Sequence, residues 1–318
     1  MSNQSLDNNK RIAKNTLFLY LRMFLMMAIS LFTSRVVLST LGVSDYGIYN
    51  VVGGVVAMFG LLSGSITNSI TRFLTFELGK KEYEQIRKVF STSLNVMFIL
   101  SAVIFVVGEI VGIWFLNYKM NIPEGRMDAA NWVFQCSLIT FIISLISIPY
   151  NSTLVAHEKM SAFAYISIFE VVMKLLIVYS LYISPFDKLK TYVVLLLLLS
   201  AVIRFIYGYY CKKHFQEVKY HFVYDKALLK QMTSFAGWNF FGQGAYMLNN
   251  QGVNILINLF FGVTVNAARG IATQVNSAVF QFVTNFMMAL NPQITKSYAT
   301  GKLEDMHKLI FRGSKFSY

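Results

Sequence analysis

Six basic residues lie within long apolar segments of the sequence or close to their ends: Arg22, Arg35, Arg72, Lys174, Arg204 and Arg269. On insertion scales, a charge inside a membrane costs about 2.5 to 3.5 kcal/mol, so it needs a partner, a wet cavity or a route to the interface. A guanidinium group can bind phosphate oxygens through two parallel hydrogen bonds, and it does so more strongly in a partly desolvated cavity than in bulk water. These arginines therefore predict a cavity that binds anionic groups.

Two of these arginines lie on polar stripes of their predicted helices. Arg22 follows Asn15 by roughly two helical turns and precedes Thr33 by roughly three, and these spacings place all three on one side of a helix. Arg72 extends a similar stripe that includes Asn68. A polar side of an otherwise apolar helix is expected to face protein or water. Arg22, Arg72 and Asn68 are therefore candidate binding residues.

The other candidate binding residues have alternatives that the sequence leaves open. Arg35 points about 140° away from Arg22 on a straight helix, so it lines the same cavity only if the helix bends. Arg269 can also reach the interface or hydrogen-bond to a neighbouring helix. Asn250 and Asn254 lie in a segment rich in amides and glycines, which suits either sugar hydroxyls or close helix packing.

Three further charged positions favour structural contacts. Glu170 and Lys174 are four residues apart, so we expect an ion pair along one helix face rather than proton coupling. Arg204 is expected to snorkel or to hydrogen-bond to another helix. Glu109 has no partner nearby in the sequence and lies either near an interface or at a protonation site.

The composition requires a membrane protein. Of the 318 residues, 55% are hydrophobic and 14% are charged, whereas soluble domains carry about a quarter charged residues. Apolar runs of about 20 residues, each long enough to cross roughly 30 Å of hydrocarbon, recur along the chain. We predict an all-α membrane protein with eight spans, and a ninth that begins near Leu309. The spans are residues 16–41, 47–75, 90–117, 129–151, 162–184, 191–211, 234–261 and 267–291.

Basic residues are distributed unevenly between alternate connectors of these spans. One side carries 19 lysines and arginines and the other carries 5, and basic residues are disfavoured on the translocated side. We therefore expect a multi-pass membrane protein with its N-terminus in the cytoplasm. The same bias explains the net charge of +13 through loops beside anionic lipid headgroups, so nucleic-acid binding is not predicted.

The sequence also contains an internal repeat. A shift that places Leu41 on Phe261 aligns Leu41-Gly42-Val43-Ser44 with Phe261-Gly262-Val263-Thr264; we call this shift the repeat offset. With a two-residue insertion, Gly79-Lys80-Lys81-Glu82 then aligns with Gly301-Lys302-Leu303-Glu304. Six spans separate the copies, so both units have the same orientation, as in transporters built from parallel repeats.

The repeat divides the chain into two expected domains. Residues 1–220 are expected to form an N-terminal lobe of six helices. Residues 221–318 are expected to form part of a C-terminal lobe, with helices 7 and 8 and the start of helix 9. We thus expect a two-lobe bundle that is truncated after about eight transmembrane helices, with a substrate path between the lobes.

Sequence motifs that are typical of enzymes are missing. The sequence has no Walker A motif, nucleophile elbow or HExxH motif, so we predict neither enzymatic activity nor a cofactor. Cys136 and Cys211 are far apart and are expected to be apolar fillers rather than a disulfide or metal ligands. The four histidines, including His157, fall in predicted cytoplasmic connectors, where we expect them to be solvated.

The segment from Leu41 to Tyr49, LGVSDYGIY, resembles the signature of polysaccharide biosynthesis membrane proteins, the Wzx-type O-antigen flippases. The segments 71–80 and 291–299 resemble the same family, so the resemblance covers the whole chain. It implies the fold shared by multidrug and toxin extrusion (MATE) transporters and the lipid II flippase, with two six-helix lobes around a central cavity.

The resemblance also implies a function and a set of site residues. Relatives place basic residues on the first, second and eighth helices of the cavity, where Arg22, Arg72 and Arg269 match at the level of helices. The implied activity is translocation of an undecaprenyl-diphosphate-linked oligosaccharide to the periplasmic leaflet for O-antigen, capsule or exopolysaccharide synthesis. Its partners would be this lipid-linked diphosphate, membrane lipids and other polysaccharide-assembly membrane proteins.

Two other functions compete with this hypothesis. Cation-coupled multidrug efflux of the MATE type benefits from a buried acid, but spans one and two contain no Asp or Glu. A membrane glycosyltransferase or polymerase should carry carboxylates in a large periplasmic loop, and the connector at 118–128 is too short for one.

Overall fold

The computed structural model describes residues 3–57, 59–120, 122–123, 125–223 and 225–317. Nine α-helices occur in these residues, and a π-helical turn, Gly108–Gly112, joins α3 to α4. The helices are α1 (Asn3–Ala57), α2 (Gly60–Lys80), α3 (Tyr83–Val107), α4 (Ile113–Tyr118), α5 (Met127–Ala156), α6 (Met160–Ser180), α7 (Lys188–His214), α8 (Lys226–Ala299) and α9 (Leu303–Ser317).

The membrane character predicted from the composition is confirmed. Within the described ranges, five helical segments are long and apolar enough to cross a membrane. Four of them, 83–118, 127–156, 160–180 and 188–214, correspond to predicted spans three to six. Apolar side chains are exposed along them, as Ile110 is at 68%, because lipid and not water surrounds such a surface.

The predicted turn between the first two spans is confirmed. α1 consists of two helices joined by a kink at Gly42, where the backbone is non-helical (φ 78°, ψ 168°). The second predicted span, 47–75, contains an additional helix boundary, since α1 ends at Ala57 and α2 begins at Gly60. Here the N–H of Phe59 donates to the carbonyl of Val56 at 3.1 Å, which is a tight turn in a glycine-rich stretch of low helix propensity.

The long helix α8 folds back on itself. Its 74 residues would measure about 110 Å in a straight helix. Trp238 near its start and Ile294 near its end nevertheless line the same cavity. The chain must therefore reverse direction between them, in agreement with predicted spans seven and eight. We call residues 226–243 the first arm of α8 and residues 282–299 its second arm.

The connectors gather at two opposite ends of the bundle. At one end, which we call the basic end, Glu158 after α5 bonds to Arg11 of α1 and to Lys296 of α8. At the other, which we call the opposite end, Arg126 before α5 bonds to Asp45 and to Asp187. This is the alternation expected when successive helices cross a membrane. The location of the basic end in the cytoplasm stays a prediction.

The internal repeat is present in the structure with a constant spacing. The left-handed residue after α2 is Lys81 (φ 62°), and the left-handed residue after α8 is Gly301 (φ 72°). α3 then begins at Tyr83 and α9 at Leu303, so both pairs are separated by the repeat offset. The predicted two-residue insertion is therefore wrong. The two turns close with the same pair of hydrogen bonds, which fixes their register independently of side-chain identity.

Contacts between the two units come in equivalent pairs. Asn285 of the second arm of α8 donates to the sulfur of Met23 in α1 at 3.4 Å. In the other copy, Gln243, which the repeat offset equates with Met23, contacts Gly64 of α2. Gly64 is next in sequence to the residue that the offset equates with Asn285. Gly79 contacts its own equivalent at the end of α8. Such pairing is the mark of a two-fold relation between α1–α2 and the two arms of α8.

Candidate functional site

A cavity of about 830 Å³ lies between α2, both arms of α8 and α9. We call it the Arg72 cavity. Arg72 and Lys230 supply its cations, and none of the described lining residues is acidic. Five aromatic side chains contribute to the wall: Phe73, Phe76, Phe235, Trp238 and Tyr298. A cavity with this lining attracts anions and offers apolar faces to the rest of an amphiphile.

Packing across the contact between α2 and α8 orients the guanidinium of Arg72. Its Cζ atom lies 4.3 Å from the ring centroid of Phe235 in the first arm. Phe73, the next residue of α2, makes an edge contact with the same ring at 6.4 Å between centroids. Stacking on an aromatic face leaves the planar edge of a guanidinium free for bidentate hydrogen bonds. Arg72 can therefore bind an anion without leaving this position.

Arg22 occupies a different place and does not line the Arg72 cavity. Its Cζ atom lies 4.5 Å from the ring centroid of Phe163 in α6. Its Nε atom is buried and has no hydrogen-bond partner in the described part of the chain. Tyr20 and Phe24, on another side of α1, instead contact Phe282 in the second arm of α8. Arg22 is therefore not among the described lining residues of the Arg72 cavity.

The other predicted binding residues differ in exposure. Asn68 is exposed on α2 one turn before Arg72, and Arg35 is exposed on α1. Arg269 is half-buried in α8. The side chains of Asn250 and Asn254 lie outside the described residues. Among the candidates, Arg72 is the one that a described cavity contains.

The remaining charges within the apolar segments make structural contacts. Lys174 donates to Glu170 at 2.6 Å, which confirms the predicted ion pair. The guanidinium of Arg204 packs over the ring of Tyr150 at 3.8 Å, a contact with a neighbouring helix. Gln135 of α5 donates to Glu109 at 3.2 Å. The carboxylate of Glu109 therefore has a partner on another helix, which the residues near Glu109 in the sequence did not indicate.

A buried carboxylate at the basic end joins three parts of the chain. The side chain of Glu158 is 2% exposed, and it accepts from Arg11 at 2.8 Å, from Lys296 at 2.8 Å and from Gln293 at 3.0 Å. We call these four residues the Glu158 cluster. Glu158 itself has left-handed backbone (φ 59°), which is uncommon for a residue other than glycine. Sequence reasoning missed Glu158, although an acid alone in a basic connector was a usable signal.

A second pair at the basic end contradicts the expectation of solvated histidines. The ring of His157 bonds to Glu217 at 2.6 Å and stacks on Phe215 at 4.0 Å between centroids. Burial of Glu217 disfavours its charged form, but the hydrogen bond from His157, a backbone hydrogen bond and the charge of His157 together outweigh this effect and lower the pKa of Glu217. His157 therefore links the connector after α5 to the connector after α7.

Three charged residues meet at the opposite end, where Arg126 binds two carboxylates. Its Nε atom donates to Asp45 at 2.9 Å, and its terminal nitrogens bond to Asp45 and Asp187. Burial disfavours a charged Asp187, yet hydrogen bonds from Arg126 and from the N–H of Lys190 hold its pKa below the ordinary value. Asp45 belongs to the LGVSDYGIY segment. We call Arg126, Asp45 and Asp187 the Arg126 cluster.

Comparisons with known proteins agree with this architecture. Residues 19–180 match the MatE family model. An outward-facing multidrug resistance MATE transporter of the MOP superfamily superposes with a TM-score of 0.81 at 14% identity, covering 97% of this chain and 69% of that one. A MATE in the straight conformation gives 0.79 at 14% identity, with 98% and 70% covered.

A third solved structure differs in its pocket. It is a MOP superfamily transporter from Pyrococcus furiosus whose binding pocket is described as having reverse polarity, which suggests a different function for that protein. Its TM-score is 0.79 at 13% identity, with 97% of this chain and 69% of that one covered. No curated protein matches the sequence. At these identities the structures establish a common fold.

Proposed function

Because this chain belongs to the MatE family, whose members are membrane transporters, we propose that it translocates an undecaprenyl-diphosphate-linked oligosaccharide across the bacterial inner membrane. The observation that supports this substrate is the Arg72 cavity, where Arg72 and Lys230 face a space whose described lining contains no acid. A diphosphate carries the charge that such a lining selects. The sugar would pass between the lobes while the polyprenyl tail stays in lipid.

The depth of the Arg72 cavity supports a headgroup site. Arg72 is eight residues from the end of α2, and Lys230 is four residues from the start of α8, so both lie about 6 to 12 Å from the basic end. Tryptophan and tyrosine concentrate at this level of a membrane, and Trp238 and Tyr298 line the same cavity. A lipid diphosphate in the leaflet at the basic end can therefore reach both cations.

Cation-coupled drug efflux is the second candidate. Structural similarity to a multidrug resistance transporter favours it. A cationic drug, however, requires a carboxylate where it binds, because desolvating a cation without a counter-charge is costly. The two functions therefore predict opposite charges in the binding cavity, and this difference can be tested.

The test replaces Arg72 with alanine. We expect the purified chain in lipid nanodiscs to bind undecaprenyl diphosphate about 10- to 100-fold more weakly, since hydrogen bonds between charged groups are lost. Export of surface polysaccharide from a host lacking its own flippase should fall in parallel. Arg72→Lys should recover part of the affinity, because it keeps the charge but not the bidentate geometry.

Lys308→Ala is the matched control, since Lys308 is exposed and pairs with Glu304 outside the cavity. Unchanged lipid binding by Arg72→Ala would contradict the proposed substrate. Efflux of a cationic dye that is retained or improved in Arg72→Ala would favour drug transport instead.

A further inference from the structure

A second cavity, of about 440 Å³, lies between α1, α5 and α7 and is open on one side. Its polar lining comes from Asn50 of α1 and from Ser137, Thr140 and Ser144 of α5, and none of the described lining residues is charged. The three α5 residues are spaced by 3 and 4, which puts their hydroxyl groups on one face of the helix. We call this space the hydroxyl cavity.

The hydroxyl groups of Ser137 and Thr140 are available to a ligand. Three other hydroxyl groups of α5 are satisfied within the helix: Ser144 donates to the carbonyl of Thr140 at 3.0 Å, Ser147 to that of Ile143 at 2.8 Å, and Thr153 to that of Pro149 at 2.8 Å, whereas Ser152 is buried without a partner. The hydroxyl groups of Ser137 and Thr140 make no hydrogen bond to any described residue. In lipid an unsatisfied polar group is costly, so two of them facing one cavity indicate an occupant that hydrogen-bonds.

The amide of Asn50 adds a complementary acceptor. Its Nδ2 atom donates to the carbonyl of Tyr46 at 2.8 Å, which fixes the side chain and leaves Oδ1 for another donor. The cavity thus combines hydroxyl groups, which donate and accept, with an amide oxygen, which accepts.

The α1 side of the cavity includes two glycines. A Cβ atom on Gly53 would lie 3.9 Å from Oγ of Ser137, and one on Gly54 would meet nothing within 4 Å. A sugar ring can therefore approach the backbone of α1 closely at Gly54. Tyr49 and Phe141 line the same space, and each is held by a second ring, Tyr192 at 5.2 Å and Phe59 at 6.2 Å between centroids.

From this lining we infer that the hydroxyl cavity binds neutral sugar residues of the transported glycan. A sugar ring presents hydroxyl groups at its edge and C–H groups on its faces, so it pairs with Ser137, Thr140 and Asn50 and packs on the aromatic side chains. A phosphate would need cations and an organic cation would need a carboxylate, and the described lining offers neither. The inference rests on the proposed function, and it separates glycan binding here from diphosphate binding in the Arg72 cavity.

The experiment compares two probes in lipid nanodiscs: undecaprenyl diphosphate, and the same lipid carrying a linear neutral oligosaccharide long enough to cover the roughly 28 Å of helix between Arg72 and Gly53. We expect the natural chain to bind the glycosylated probe more tightly. The double variant Ser137→Ala, Thr140→Val should lose that preference by about tenfold, because two neutral hydrogen bonds are removed, while binding of undecaprenyl diphosphate is unchanged. Thr140→Ser keeps a hydroxyl group and should restore part of the preference.

Ser147→Ala is the matched control, because its hydroxyl group lies on the same helix and is already satisfied. Thermal melting of every variant checks that the fold is retained. A preference for the glycosylated probe that survives in the double variant overturns the inference. A loss of binding in that variant that added sodium ions restore also overturns it, because sodium would then occupy the hydroxyl cavity. Failure of the natural chain to bind either probe would instead reject the proposed function.

Discussion

The basic end and the opposite end of the molecule are both held by charged clusters, but the clusters join different elements. The Glu158 cluster ties α1 and the connector after α5 to the second arm of α8. The Arg126 cluster ties together α1 and the connectors before α5 and α7, and it does not include α8. One cluster therefore crosses between the two repeat units, while the other braces a single unit.

Apolar packing between the two units extends farther into the bundle. α1 and α2 contact α8 through Gly79 at the basic end, through Met23, and through Gly64, which lies about 24 Å from the end of α2. Farther along α1, Leu31 and Phe32 are exposed, at 71% and 50%. An alternating-access transporter needs one end closed while the other is open, and the basic end is the one whose contacts would have to break for the opposite arrangement.

Removal of the carboxylate of Glu158 should have the largest effect. We expect Glu158→Ala to lower stability by about 3 kcal/mol, because it leaves Lys296 and Gln293 without their buried partner. The distance between spin labels at positions 159 and 300 should broaden towards longer values in electron resonance measurements. Glu304→Ala, which removes an exposed acid, is the control. An unchanged distance distribution would mean that the Glu158 cluster does not hold the two units together.

Removal of Arg126 should have a smaller and more local effect. We expect Arg126→Ala to cost about 1 to 2 kcal/mol, since its contacts are hydrogen-bonded ion pairs that are only partly buried. Thermal melting in detergent measures this loss. The label distance between positions 159 and 300 should stay as in the natural chain. If it changes as much as in Glu158→Ala, the two ends are mechanically coupled and the contrast drawn between them is wrong.

Acidification should have the smallest effect and should act at both ends. The pKa of Asp187 lies below its ordinary 3.8, and that of Glu217 lies below its ordinary 4.5. Each group therefore contributes stability that is complete above its ordinary pKa and is lost as pH falls through its lower folded value. Melting temperatures should decline below about pH 4.5. Arg126→Ala should reduce the part of this decline that comes from Asp187, and His157→Gln should reduce the part that comes from Glu217. Equal declines in the natural chain and in both variants would contradict these pairings.

Elements governed by local sequence were the most predictable. Apolar length identified helices α3 to α7, and turn residues such as Pro185 marked their boundaries. The break between Ala57 and Gly60 escaped prediction because the apolar run continues through it, and only the hydrogen bond of Phe59 shows that the helix stops. The repeat offset was predictable, but the false insertion came from aligning Gly79 with Gly301 by residue type instead of by backbone conformation.

The site was less predictable because its residues converge from distant segments. Helical spacing placed Arg72 on a polar stripe of α2, but nothing in α2 indicates that Lys230 lines the same cavity. The spacing of Arg22 from other polar residues predicted the side of the helix on which it lies. It could not predict the residue that Arg22 contacts, which is Phe163 of α6. Glu158 and Arg126 each bind partners from other helices or connectors, far away in the sequence. The periodicity of a single helix cannot predict such contacts.

The backbone of Gly42 changes how the LGVSDYGIY segment should be understood. Its dihedral angles, φ 78° and ψ 168°, are essentially confined to glycine, and Asp45 three residues later is anchored by Arg126. Gly42 and Asp45 of this segment therefore bend the chain and hold the bend in place. The segment is consequently expected in proteins whose chain bends at the same place, whatever substrate they transport. The substrate has to be inferred from the side chains that line the cavity.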